Sequence, residues 1–164
     1  MTIGKFILVW KLAQLESGRA AGALIEEAAG LGLGMVALKI ADGAASADGS
    51  GGDDKLRWYV TELHKRGIEV WGWQYLYGGR RLVRDSAGRV IGSAENGYST
   101  PENEARVAVA RVRALGLDGY IMDPESEYKT APAGRASRFM SQVRAGLGAV
   151  PVALCSFRYP VMHR

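Results

Sequence analysis

The sequence predicts an α/β fold of parallel (β/α) units, the first five of a (β/α)8 barrel, with an open five-stranded doubly wound sheet as the alternative. Three observations lead there. Short apolar runs alternate with amphipathic helical patterns, and short connections of that kind mean parallel strands covered by helices. The apolar runs are nearly continuous, as in strands buried on both faces. A glycine (Gly30, Gly67, Gly116, Gly148) closes each helical pattern, where a left-handed cap favours it.

In chain order, the strands are read at Lys5–Trp10, Met35–Ile40, Ile68–Tyr75, Gly119–Asp123 and Val150–Ser156. The first helix is read from Ser17 to Ala29, alanine-rich, with Leu24 and Ile25 as apolar anchors. Asp53 and Asp54 open the second, and Leu56, Tyr59, Val60 and Leu63 follow at helical spacing. Thr100-Pro101 starts the third, a cap followed by a proline whose missing N–H is harmless there. The fourth runs from Gly134 to Leu147 with Phe139, Met140 and Val143 inward. Between the third strand and the third helix, 78–100 is too long for a plain connector, and Arg81 to Ile91 reads as a small hairpin inserted at the rim.

At 164 residues the chain is read as a single domain. A complete barrel takes about 250 residues. The segment Leu154 to Arg164 leaves the fifth strand for a polar loop without a following helix, so a truncated chain is expected. Its open strand edges and apolar surface would favour oligomers.

Composition narrows the class. With 48% hydrophobic and 23% charged residues, the chain reads as globular and soluble. No apolar run approaches the ~20 residues of a spanning helix, so no membrane partner is expected. The apolar stretch within Met1 to Lys11 is too short for a signal peptide, which makes a cytoplasmic location, or release by a non-classical route, the default expectation. The net charge is +4, and the arginines are spread over the helices without a nucleic-acid motif. One cysteine, Cys155, excludes an internal disulfide or a cysteine-based zinc cluster, and it is read as a packed thiol in the last strand. No cofactor or metal is expected. Gly49-Ser50-Gly51-Gly52 is glycine-rich before a helix, but Asp53 and Asp54 would repel a phosphate.

The most informative segment is Leu117-Asp118-Gly119-Tyr120-Ile121-Met122-Asp123-Pro124-Glu125-Ser126-Glu127. On a strand Asp123 and Glu125 share a face about 7 Å apart, at the end where ligands bind in either fold. Two such acids can serve as an acid/base pair. Around them the same rim collects Trp10, Lys39, Asp42, Trp73, Gln74, Tyr75, Glu127, Arg158 and Tyr159. Aromatic faces for sugar C–H groups and polar groups for hydroxyls suit a carbohydrate. Lys39 lies inside an apolar run, where a lysine is unusual unless paired, and the strand-four acids are its expected partners. A structural role for Asp123 and Glu125 as partners of Lys39 or Arg158 stands beside the catalytic one.

The order Lys39-Ile40-Ala41-Asp42-Gly43, Val70-Trp71-Gly72-Trp73-Gln74-Tyr75, Asp123-Pro124-Glu125 and Ser156-Phe157-Arg158-Tyr159-Pro160 resembles glycoside-hydrolase-like TIM barrels. The comparison is with lysozyme-like glycosidases of the family 25 type and, more loosely, with chitinase-like barrels. The resemblance implies Glu125 as the general acid and Asp123 as the residue that orients or polarises an N-acetyl group. It implies hydrolysis of a cell-wall or amino-sugar polysaccharide. At the end of strand one, where that pattern expects an acid, Trp10 and Lys11 stand instead. A non-catalytic carbohydrate-binding or structural barrel is therefore the second reading, and a hydrolase using Asp123, Glu125 and Glu127 as metal ligands the third.

Overall fold

The computed structural model describes residues 4–46 and 52–155. Its elements are β1 (Lys5–Val9), α1 (Leu12–Glu16), α2 (Ala23–Gly30), β2 (Leu33–Asp42), β3 (Ala45–Ser46), α3 (Asp53–Lys65) and β4 (Glu69–Leu76). There follow β5 (Arg80–Arg84), β6 (Val90–Glu95), α4 (Pro101–Leu115), β7 (Gly119–Pro124), α5 (Ser126–Lys129), α6 (Arg135–Leu147) and β8 (Val152–Leu154). The region expected as one helix from Ser17 is broken. Gly18 (φ 73°) and Gly22 (φ 81°) adopt the left-handed conformation between α1 and α2, which no helix can contain.

The main sheet runs β1-β2-β4-β7-β8, every neighbouring pair parallel. Each new strand is added on the same side of the last. With right-handed crossovers, that order keeps every connecting helix on one face of the sheet. A doubly wound sheet must reverse at a switch point and carry helices on both faces. This sheet has no reversal, so it is the arc of a (β/α) barrel and not the open alternative.

The two faces bear different cores. Toward the helices, Val36, Leu38, Ile40, Val70 and Tyr120 pack with Leu56, Tyr59, Leu63, Ala105, Val112, Phe139 and Val143. The inward face carries a smaller cluster of Met35, Ala37, Trp71, Trp73 and Ile121. Gly119 belongs to this face because the Trp71 ring lies across it; a Cβ there would sit 2.3 Å from a ring atom. Gly119→Ala should therefore cost about 1–3 kcal/mol from forced displacement of the indole, read as a lower Tm by circular dichroism.

β2 contains an irregularity that shapes the site. Lys39 pairs with Trp73 and Ala41 with Gln74, leaving Ile40 as an extra residue. Lys39 and Asp42 would otherwise face opposite ways on a strand of period two. The bulge returns Asp42 to the inward face, opposite Tyr75. The β5–β6 hairpin forms a separate two-stranded sheet, tied to α6 by Arg135–Glu95 at 2.9 Å.

Candidate functional site

At the carboxyl ends of the strands, Leu8, Trp10, Lys39, Asp42, Trp73, Tyr75, Tyr77 and Asp123 line an open hollow of about 540 Å³. That volume falls in the ~300–1,000 Å³ span of small-molecule clefts. Its floor is aromatic. Trp10, at the end of β1, is 61% exposed, whereas Trp73 is buried and its indole N–H donates to the Val9 carbonyl at 3.0 Å. Of the rim aromatics Trp10, Trp73 and Tyr75, Trp10 thus presents the open face.

Lys39 is buried beneath this floor, its ammonium 5.2 Å from the Trp73 ring centroid and 5.9 Å from that of Trp10. Its ion-pair partner is not a strand-four acid, as the sequence suggested, but Asp42 at 2.5 Å. The bulge at Ile40 is the reason, since it swings Asp42 to the same side. The second Asp42 oxygen accepts from the Tyr77 hydroxyl at 2.7 Å. Asp42 is thereby held between a cation and a phenol.

The acids of β7 and α5 stand opposite. Asp123 lines the hollow, and burial raises its carboxyl above the usual aspartate range, against the lowering effects of a Cys155 hydrogen bond and the Lys39 charge. Glu125, just past the end of β7, is half-buried, and desolvation followed by the charges of Asp123 and Glu127 raises it too. Among the described residues nothing hydrogen-bonds its carboxylate. Glu127, one of the expected rim residues, accepts from the Tyr75 hydroxyl at 2.9 Å.

Two expectations are corrected. Gln74 does not face the hollow. It alternates with Trp73 and Tyr75, so its side chain points into the helix layer, fully buried. There its amide donates to the carbonyls of Gly43 (2.7 Å) and Glu104 (3.2 Å), and its oxygen accepts from the Tyr120 hydroxyl (2.6 Å). Cys155, expected to be packed, is exposed and lies beside Asp123, because the β7–β8 register continues from Met122 opposite Leu154. Arg158 and Tyr159 lie outside the described residues. Residues 80–95 contribute nothing to the lining of the hollow. No group of three or more His, Cys, Asp or Glu side chains among the described residues converges to hold a metal ion, so Asp123, Glu125 and Glu127 do not form a ligand set. No helix among them is long and apolar enough to cross a membrane.

Two residues of this region were not among the expected site residues. Tyr77 stood two residues past the end of the expected strand. Glu104 lies on α4 at i−4 and i−8 from Ala108 and Val112, both buried, so an acid on an apolar stripe was the available clue. It is fully buried, and its carboxylate accepts from the backbone N–H groups of Tyr77 (2.8 Å) and Gly78 (3.2 Å).

No protein-family model matches the chain, and no curated protein matches it. Solved structures do. A glycosyl hydrolase 25 from Streptococcus pneumoniae aligns with a TM-score of 0.61 at 15% identity, over 96% of this chain and 61% of that one. A maltogenic α-amylase from Thermotoga neapolitana aligns at 0.57 and 15% identity, over 96% of this chain and 47% of that one. A hydroxymethylglutaryl-CoA lyase from Pseudomonas aeruginosa aligns at 0.52 and 16% identity, over 78% and 40%. The chain spans less than two thirds of the length of each. The fold is that of glycosidase-like (β/α) barrels. Because a lyase shares it, the chemistry has to be argued from the site.

Proposed function

We propose that the hollow is a carbohydrate site and that the chain belongs to the machinery of glycosidic-bond hydrolysis in an amino-sugar polysaccharide. The observation that carries this reading is Asp123 in the lining of an open aromatic hollow, with Glu125 two residues on, outside that lining, and both carboxyls held toward their neutral forms. Glu125 is the general acid: burial and the neighbouring carboxylates keep its proton available for the leaving oxygen. Asp123 is its partner, oriented toward the substituent next to the bond that breaks. Trp10 stacks on a sugar ring, while Lys39, Asp42, Tyr75 and Glu127 form the polar frame. Arg158 and Tyr159 are proposed to complete it from the segment after β8.

The experiment is incubation of the chain with soluble and particulate amino-sugar polymers, followed as new reducing ends. Reducing ends produced by the wild type support the reading. Binding without turnover supports a carbohydrate-binding barrel instead, a possibility favoured by Trp10 and Lys11 standing where the family 25 pattern expects an acid. Either way Trp10→Ala should weaken glycan binding about tenfold, the loss of roughly 1–2 kcal/mol of ring contact, measurable by calorimetric titration.

A further inference from the structure

We propose that Glu104, outside the hollow and unused by any sugar-contacting role, is a positioning residue whose ionisation sets the geometry of the Lys39–Asp42–Tyr77 side of the hollow. The route is continuous. The buried Glu104 carboxylate holds the Tyr77 and Gly78 amides. The hydroxyl of the same Tyr77 donates to Asp42, and Asp42 holds Lys39. Hydrogen bonds to a carboxylate are stronger than those to a neutral acid. The ionised form therefore clamps the end of β4, and the protonated form slackens it.

The surroundings allow this change near neutrality. Burial pushes the Glu104 carboxyl up to about 7, against the two amide bonds that lower it. Asp42 from β2, Tyr77 from the end of β4, Tyr120 from β7 and Tyr128 from α5 face it, and Arg135 from α6 donates to the Gly78 carbonyl at 2.8 Å. The three tyrosines are displaced upward by burial, away from neutral pH, and arginine stays charged throughout. The Tyr128 hydroxyl is buried with no hydrogen-bond partner among the described residues. Nothing in this route depends on which reaction the hollow performs.

The test is ¹H–¹⁵N spectroscopy of the full chain between pH 5 and 9. The Tyr77 and Gly78 amide protons should move together with one midpoint within about a unit of 7, and the Lys39 side-chain resonances should follow. Glu104→Gln keeps an accepting oxygen but cannot ionise, and should flatten all of these curves. Tyr77→Phe should leave the amide titration and abolish its echo at Lys39. The proposal is overturned if the amides titrate below about pH 5, if Glu104→Gln leaves their curves unchanged, or if Lys39 responds equally in Tyr77→Phe. Should Glu104→Gln not fold, hydrogen exchange of wild-type Tyr77 and Gly78, corrected for intrinsic rates, decides: greater protection at pH 8 than at pH 6 supports the clamp, and equal protection removes it.

Discussion

Glu125→Gln should abolish most glycan hydrolysis, a fall of about 10²–10⁴-fold in kcat with KM little changed, because the amide keeps the shape of the acid but has no proton to give. The pH profile carries the second half of the prediction. In the proposed acid role Glu125 works protonated, so activity should decline as pH rises through its elevated midpoint, and burial with the charges of Asp123 and Glu127 places that decline above the ordinary glutamate range. Asp123→Asn removes one of those charges and should move the decline toward lower pH. The stability effect has a definite sign as well. A carboxyl raised in the folded state adds stability that is full below its unfolded midpoint and lost as pH climbs through the folded one. Both amide variants should therefore melt at higher temperature than the wild type at pH 8, with the difference shrinking toward pH 4. An unchanged rate in Glu125→Gln would take this residue out of the acid role.

Gln74→Leu should be the most damaging single change to the fold, costing about 3–5 kcal/mol by urea denaturation. The substitution is similar in size and hydrophobic, but it strands the Gly43 carbonyl and the Tyr120 hydroxyl in a layer where water does not reach, and removes the second bond of the Glu104 carbonyl. Each stranded group costs roughly 1–3 kcal/mol. A surface residue at a sugar rim would show no such loss, so the same measurement separates the structural placement of Gln74 from the one its sequence neighbours suggest. Gln74→Glu should be nearly as harmful, since it adds a buried charge close to Glu104.

What the sequence revealed follows from which signals are local. Strand alternation and helix periodicity depend on neighbours a few residues away, so the five parallel strands and α3, α4 and α6 were legible from residues such as Leu56, Tyr59 and Phe139. The inward placement of Asp123 followed from the same alternation. Other features depend on partners far along the chain. The exchange of Lys39 from the β7 acids to Asp42 required knowing that Ile40 is an extra residue, which shows only in pairing with β4. Gln74 looked like a rim residue because it sits between Trp73 and Tyr75, yet that adjacency is what sends it to the opposite face. Glu104 was hidden because an acid near a helix start has an ordinary explanation in the helix dipole. The late start of α2 was written in Gly18 and Gly22, beside an alanine content that argued for a helix already from Ser17.

The extra residue in β2 also makes the site depend on how two strands pair rather than on which residues are present. Were β2 to pair evenly with β4 through Ile40 at unchanged length, the aspartate would turn outward, away from its lysine and from Tyr77, although every charged group would still be encoded. A lysine with no counterion would then sit under two indoles. In an aligned set of relatives, a one-residue gap at this point would therefore mark chains that keep the aspartate inward on a regular strand, with no bulge needed.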